Sequence, residues 1–482
     1  MADTPHDTPT SGESPRVDDD SPERDRPGDE LPEDAPTGGE DPGRPGDDGP
    51  AAGTSGSPAR RILTGPLARL VAGVVVVALA SALSLLVHPA SSAGEDVATT
   101  SVRSLTCPAL GATATLTAGS TTGSFAVGGL GGTPADVTGL VQKDAAKTSW
   151  LLMPSGVDQP VGGILSRTGQ WQWAGCEAAS PSSYINVPDL STSDLLLVNP
   201  DPDSVAVNLT FFTTSGVRSV AGARGLVLQP GSSRVVPLSV LAGSGPAGIW
   251  VATDSGRVLA LARPITTQSY GPQPARQPGL ITSLPAVPQG AHKVTLLVTN
   301  PGDEDATFSV AGLTRTGRIQ LAGAQQVTVA AQHVLRLDIS KQVAGEEMAL
   351  EVSSDRPVVA SALVGDPANG LQVSAAPVKA QLNAVVPTDA SLYVMNPDAA
   401  SATVQVSLSS PSGTPAVTSR IIASGGLAVI TLQKGTVLHL SSSHPVAAAV
   451  GMISAKKVVV MASATEAAVT GSVSLSIDQS NH

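Results

Sequence analysis

Tandem immunoglobulin-like β-sandwich repeats, carried behind one transmembrane helix and a disordered N-terminal tail, are the fold class that this sequence predicts. Three observations lead there. Beyond residue 100, short runs rich in Val, Thr, Ala and Leu alternate with turn residues, and no apolar stripe holds helical spacing over three turns. The stretch LLLVNPD (195–201) returns as LLVTNPG (296–302) and again as LYVMNPD (392–398). Ahead of them lies one long uncharged apolar run, from Leu70 to Val87.

Residues 1–59 hold 16 acidic and four basic side chains, which accounts for the whole formal charge of −12. High charge with Pro and Gly and few large apolar groups leaves too little surface to bury against chain entropy, so this tail is expected to be disordered. The rest of the chain carries 24 basic and 24 acidic residues. A neutral folded region offers no field for phosphates, which excludes nucleic acid as a partner.

Residues 60–90 form the expected transmembrane signal-anchor. The run Leu70–Val87 makes a helix of about 27 Å, and snorkelling of Arg69 adds length at its start. Arg60, Arg61 and Arg69 flank the N-terminal side, which places the tail in the cytoplasm and the remainder outside the plasma membrane. A cleavable signal peptide is the competing reading, with small residues at 90–93; the long tail and the length of the apolar run count against it.

The two cysteines, Cys107 and Cys176, both fall in the first exterior segment, where an oxidising compartment lets them pair. A loop of that span, once closed, stabilises by about 4 kcal/mol in the chain-entropy account. Two free buried thiols are the alternative.

Aligned on Asn-Pro, the three stretches bring whole units into register. Each continues as an alternating strand ending in a Gly turn, then a strand, turn and strand, then a closing hairpin: IWVATDSGRVLALA, LEVSSDRPVVASA and LHLSSSHPVAAAV. The repeats are 191–288, 289–386 and 387–482, preceded by a divergent β domain over 91–190 that holds the cysteines and Trp150, Trp171 and Trp173. Six or seven strands per unit fit an immunoglobulin-like sandwich; a β-propeller with two blades per unit is the rival. Proline donates no N–H and Asn bonds nearby backbone, so Asn199, Asn300 and Asn396 are expected to end a buried strand and begin a turn.

The acidic Pro-rich leader, the lone anchor, LTCP at 105–108 with the later Cys176, and the repeated NP units resemble an actinobacterial family of single-pass extracytoplasmic proteins catalogued as a domain of unknown function. The resemblance runs from about residue 100 to the C-terminus. Members are often encoded beside cell-envelope glycosyltransferases, which implies a role at the envelope and carries over no catalytic residue.

Enzyme signatures are sparse. The seven histidines form no HExxH and no zinc spacing, and no GxSxG elbow or phosphate loop occurs. Ser454 and Lys457 make an SxxK without its companion elements. Asp303, Glu304 and Asp305 are successive acids in a turn and do not match a calcium loop. In GQWQWAG, Trp171 and Trp173 are two apart, so on a strand both rings share a face, as sugar stacking needs; the alternative is that both pack on the disulfide as core.

The expectation is therefore a non-enzymatic scaffold or interaction protein of the cell envelope, with no catalytic residue, cofactor or metal. The alternatives are a cell-wall glycan-binding module and a glycan-active hydrolase whose carboxylates meet only in the fold.

Overall fold

The computed structural model describes residues 96–474, apart from brief interruptions at 102, 112, 156–158, 267–269, 368–369, 411–415, 456 and 467–468. The expected tail and transmembrane segment lie outside the described residues. Among those described, no helix is long and apolar enough to cross a membrane. The all-β expectation holds: strands dominate, and the helical pieces are the turns Leu190–Thr192, Leu238–Ala242 and Ser340–Val343.

Residues 182–276 show the building unit most clearly. Its opening strand, Ser182–Val187, lies beside Ala247–Thr253, which pairs with Val205–Thr213 and through it with Gly216–Arg218. A second sheet orders Ser232–Pro237, the Asn-Pro strand Ser193–Asn199, Leu259–Pro264 and Gln273–Pro274. Alternation along the strands turns Ile185, Leu197, Phe211, Ile249 and Ala260 into one core between the sheets. Full burial of each large member stabilises by about 1.5–3 kcal/mol.

The same order occurs four times. In the third unit, opening strand Gly279–Val287, and the fourth, opening strand Lys379–Val386, each sheet repeats it strand for strand. The segment that looks divergent in sequence is the first copy. There Leu105–Cys107, Trp150–Pro154, 125–129 and 135–138 form one sheet, and 140–144, 115–119, Val161–Ser166 and Gln172–Gly175 the other. Its irregularity has a physical source: Thr115–Gly129 and Ala135–Asp144 each run through both sheets, so no Asn-Pro turn separates their halves.

Two expectations change. An immunoglobulin sandwich seats its first strand beside the second; here the opening strand sits in the opposite sheet, beside the strand that precedes the last crossing. The expected closing hairpins are also absent: in the second unit Ala247–Thr253 and Leu259–Pro264 pair in different sheets, and in the third and fourth units the two halves are not even separate strands. Met348–Val364 is one strand whose first half pairs in one sheet and second half in the other, and Thr436–Ser454 repeats this. Pro357 and Pro445 fall at the crossings, where a missing N–H interrupts the ladder.

Each unit sets the outer face of its opening-strand sheet on the neighbour's Asn-Pro sheet. Leu130 of the first packs on Leu196, Val198 and Leu259 of the second. Asn186 of the second bonds the third, with Nδ2 donating to Leu297 O and Val359 O at 3.0 Å each. Ala286 and Leu313 of the third pack on Tyr393 and Met395 of the fourth. Val385 and Val437 of the fourth meet Val161, Leu165 and Trp173 of the first, which closes the ring.

The last strands of the units, Gln172–Gly175, Gln273–Pro274, Leu371–Ser374 and Lys457–Ser463, touch one another in turn around a central axis. Sheets around an axis, two per unit, are what the propeller alternative describes, but the strands within each sheet interleave instead of following in sequence. Asp96–Ser101 pairs antiparallel with Val469–Ser474 and joins the two ends of the described chain.

Candidate functional site

The Asn-Pro residues are structural. Asn199, Asn300 and Asn396 are fully buried, and each Nδ2 donates at 2.7 Å to the carbonyl four residues on, Asp203, Glu304 or Ala400. Each Oδ1 accepts the N–H two residues on, at 3.0, 2.9 and 3.1 Å. The side chain thus fastens the end of a buried strand to its turn, as the sequence predicts.

The four axial strands run the same way, from about residues 171, 271, 370 and 459 to 176, 276, 375 and 464. Along most of that length the axis is tight, with cavities of about 20 and 50 Å³. At the far end it widens into a funnel of about 860 Å³, walled by the segments that join one unit to the next. These junctions reach the funnel because each returns along its own opening strand: Thr106 N–H donates to Glu177 O at 2.8 Å, and Arg276 N–H to Tyr184 O at 2.7 Å.

Apolar side chains make much of the wall, among them Leu105, Ile281, Pro377, Val378, Pro397 and Pro445. The carboxylates on it are engaged. Glu177 takes Arg276 Nη1 through both oxygens at 2.9 and 2.8 Å, while Arg276 Nε donates to Ala375 O at 2.8 Å, so one side chain links three junctions. Glu351 is buried against Arg318, whose hydrogen bond to it holds the guanidinium more firmly protonated than usual. Glu466 pairs with Lys379 at 3.0 Å, and Asp398 Oδ1 accepts Ala400 N–H at 3.0 Å. Among the described residues, no group of three or more His, Cys, Asp or Glu is placed to hold a metal ion. The geometry is that of a largely apolar concavity whose carboxylates are paired or capped.

Cys107 and Cys176 are disulfide-bonded, tying the first opening strand to its junction, and Cys176 lines the funnel wall. Trp173 is buried and lies so close on Gly163 that a Cβ there would come within 2.0 Å of the ring. It joins Val161 and Leu165 of its own unit to the apolar cluster of the fourth unit, and the ring packed beside the disulfide is Trp150. Trp171 is half-buried, with the Arg167 guanidinium 5.3 Å from its centroid, and lines a separate groove of about 1180 Å³ with Asp144, Asp389 and Lys434. Ser454 and Lys457 face each other across a tight hairpin. Of the three successive acids, Glu304 pairs with Arg356 and Asp305 caps Ala331 N–H at 2.9 Å.

The residues that build the funnel carry little sequence signal, since they come from four distant junctions. One signal was available: each opening strand ends in Pro, at Cys107-Pro108, Val187-Pro188, Val287-Pro288 and Val386-Pro387.

A domain described as "Family of unknown function (DUF5719)" matches residues 186–385. The chain therefore carries a domain of unknown function, which spans two whole units from one opening strand to the equivalent point two units on. No curated protein and no solved structure matches the chain.

Proposed function

We propose that this is a non-enzymatic interaction protein of the cell envelope, anchored by residues 60–90 with its tail in the cytoplasm and its four-unit ring outside. The observation that carries the binding role is the funnel: a largely apolar concavity with walls whose carboxylates are each taken by a cation or a turn. A general acid or base needs a free, poised group, whereas a receptor needs a satisfied one. The placement rests on the arginine flank of the apolar run, the disulfide and the resemblance to single-pass actinobacterial envelope proteins.

Two measurements test this reading. Protease added to intact cells should remove the disulfide-bonded ring and spare the N-terminal tail; an untouched ring contradicts the placement. A photo-cross-linker at Leu280, beside the funnel, should trap a defined envelope protein in membranes, and adducts that vary from one preparation to the next contradict the interaction role.

Trp171 favours a second reading. A half-buried tryptophan in a groove with Thr113, Gln142 and two carboxylates has the composition of a polysaccharide site. Saturable binding of the full-length chain to cell-wall material, lost in Trp171→Ala and after the secondary polymers are stripped, would establish it. Equal binding by variant and wild type would remove it.

A further inference from the structure

The four opening strands are equivalent edges, and three of them are covered beside the funnel by the chain itself. Thr106 exchanges two backbone hydrogen bonds with Glu177, at 2.8 and 3.0 Å. Tyr184 does the same with Arg276, at 2.8 and 2.7 Å. Leu382 and Asn383 pair with Glu466 and Thr465. The third unit differs. Ala376 N–H donates to Ser283 O at 3.0 Å, and among the described residues no strand pairs with Gly279–Thr282 on that side.

The ladder slips between Gly279 and Ile281 and is regular from there to Ser283. Backbone groups along an antiparallel strand point alternately to its two sides, so Ile281, two residues from Ser283, turns its N–H and C=O to the same open edge. Leu280 and Ile281 are 52% and 62% exposed there, and Ile281 lines the funnel. An exposed apolar edge of this kind is a template for another strand. On the rim, Arg103 makes no ion pair among the described residues, in contrast to Arg276, Arg318 and Lys379.

We propose that the funnel receives an extended, apolar, uncharged segment of a partner protein, added as a strand at the open edge of Ile281, with a carboxylate at its end beside Arg103. This rests on the interaction role proposed above and gives it a site. The edge lies inside a concavity, which a second folded copy does not enter but a single strand, spaced about 4.8 Å away, does. The volume, about 860 Å³, is in the range of sites that enclose a short ligand. Charged side chains within the segment would lose hydration against the apolar wall without gaining partners, while a terminal carboxylate gains Arg103.

The probe is a library of random hexapeptides with free C-terminal carboxylates, selected on the full-length chain and measured by fluorescence polarisation. Selected sequences should alternate apolar residues. Their binding should fall about tenfold in Ile281→Pro, which removes an N–H from the open edge and none from the ladder to 348–354. It should fall about threefold in Arg103→Glu or when the peptide terminus is amidated. Matching thermal unfolding confirms that the proline variant folds. If it does not, peptides N-methylated at alternate positions replace it, and only one of the two registers should bind. Absence of selected peptides, or binding indifferent to these changes, overturns the site. Defined partners cross-linked from other faces would then leave the interaction role standing, whereas no partner from any face would remove both.

Discussion

Two interfaces of the ring use one position for opposite chemistry. The residue ahead of the terminal Val-Pro of each opening strand is Asn186 in the second unit and Val385 in the fourth. Asn186 is buried between units, donating to two carbonyls and accepting Thr299 Oγ1–H at 2.6 Å. Val385 sits in an apolar cluster with Trp173. The stacking of sheet on sheet therefore demands fit more than any one contact type. The polar joint adds selectivity, because a misplaced neighbour would leave buried amide groups without partners.

The apolar joint should be the more costly to break. Trp173→Ala removes the ring that spans the closure and is expected to cost about 3–5 kcal/mol in denaturant unfolding. Replacing Cys107 and Cys176 by Ser should cost about 2–4 kcal/mol, read the same way, since the bond closes a separation of 69 residues. At the polar joint, Asn186→Ala should cost about 1–3 kcal/mol by leaving Thr299 and two carbonyls unpaired. Adding Thr299→Val should cost less than the sum of the two changes, and strict additivity would deny the network.

The smallest effect concerns the joint between the third and fourth units. Burial, with the Glu347 carboxylate adding and Arg315 opposing, pushes the Tyr393 phenol up to about 12. An unfolded tyrosine titrates near about 10, so the unfolded chain loses its proton first as pH rises. The stability this group contributes is complete below about pH 10 and is lost toward about pH 12. Tyr393→Phe should flatten that alkaline fall, measured by unfolding at a series of pH values. Tyr184 and Tyr270 are raised by burial too, so part of the fall should remain.

What was legible in the sequence was local. Asn199, Asn300 and Asn396 announced themselves because their bonds to the residues two and four positions on close within one turn, although each Nδ2 also reaches a carbonyl some 27–30 residues away. The disulfide was legible because the sequence has two cysteines, Cys107 and Cys176, and both fall in one segment. The crossing of Met348–Val364 between sheets was not, because alternation looks the same whether two half-strands pair with each other or with different neighbours. The first unit was hidden for a related reason, its fused strands leaving no Asn-Pro to align. Glu177, Arg276 and Glu351 drew no notice, since their meeting at the funnel depends on ring closure and not on spacing.

Calorimetry of the full-length chain with and without Trp173→Ala reads that closure directly. A closed ring predicts one cooperative transition for the wild type, shifted as a whole by the variant. Separate transitions, with only that of the first unit moved by the substitution, would contradict it and describe four independent domains on a string.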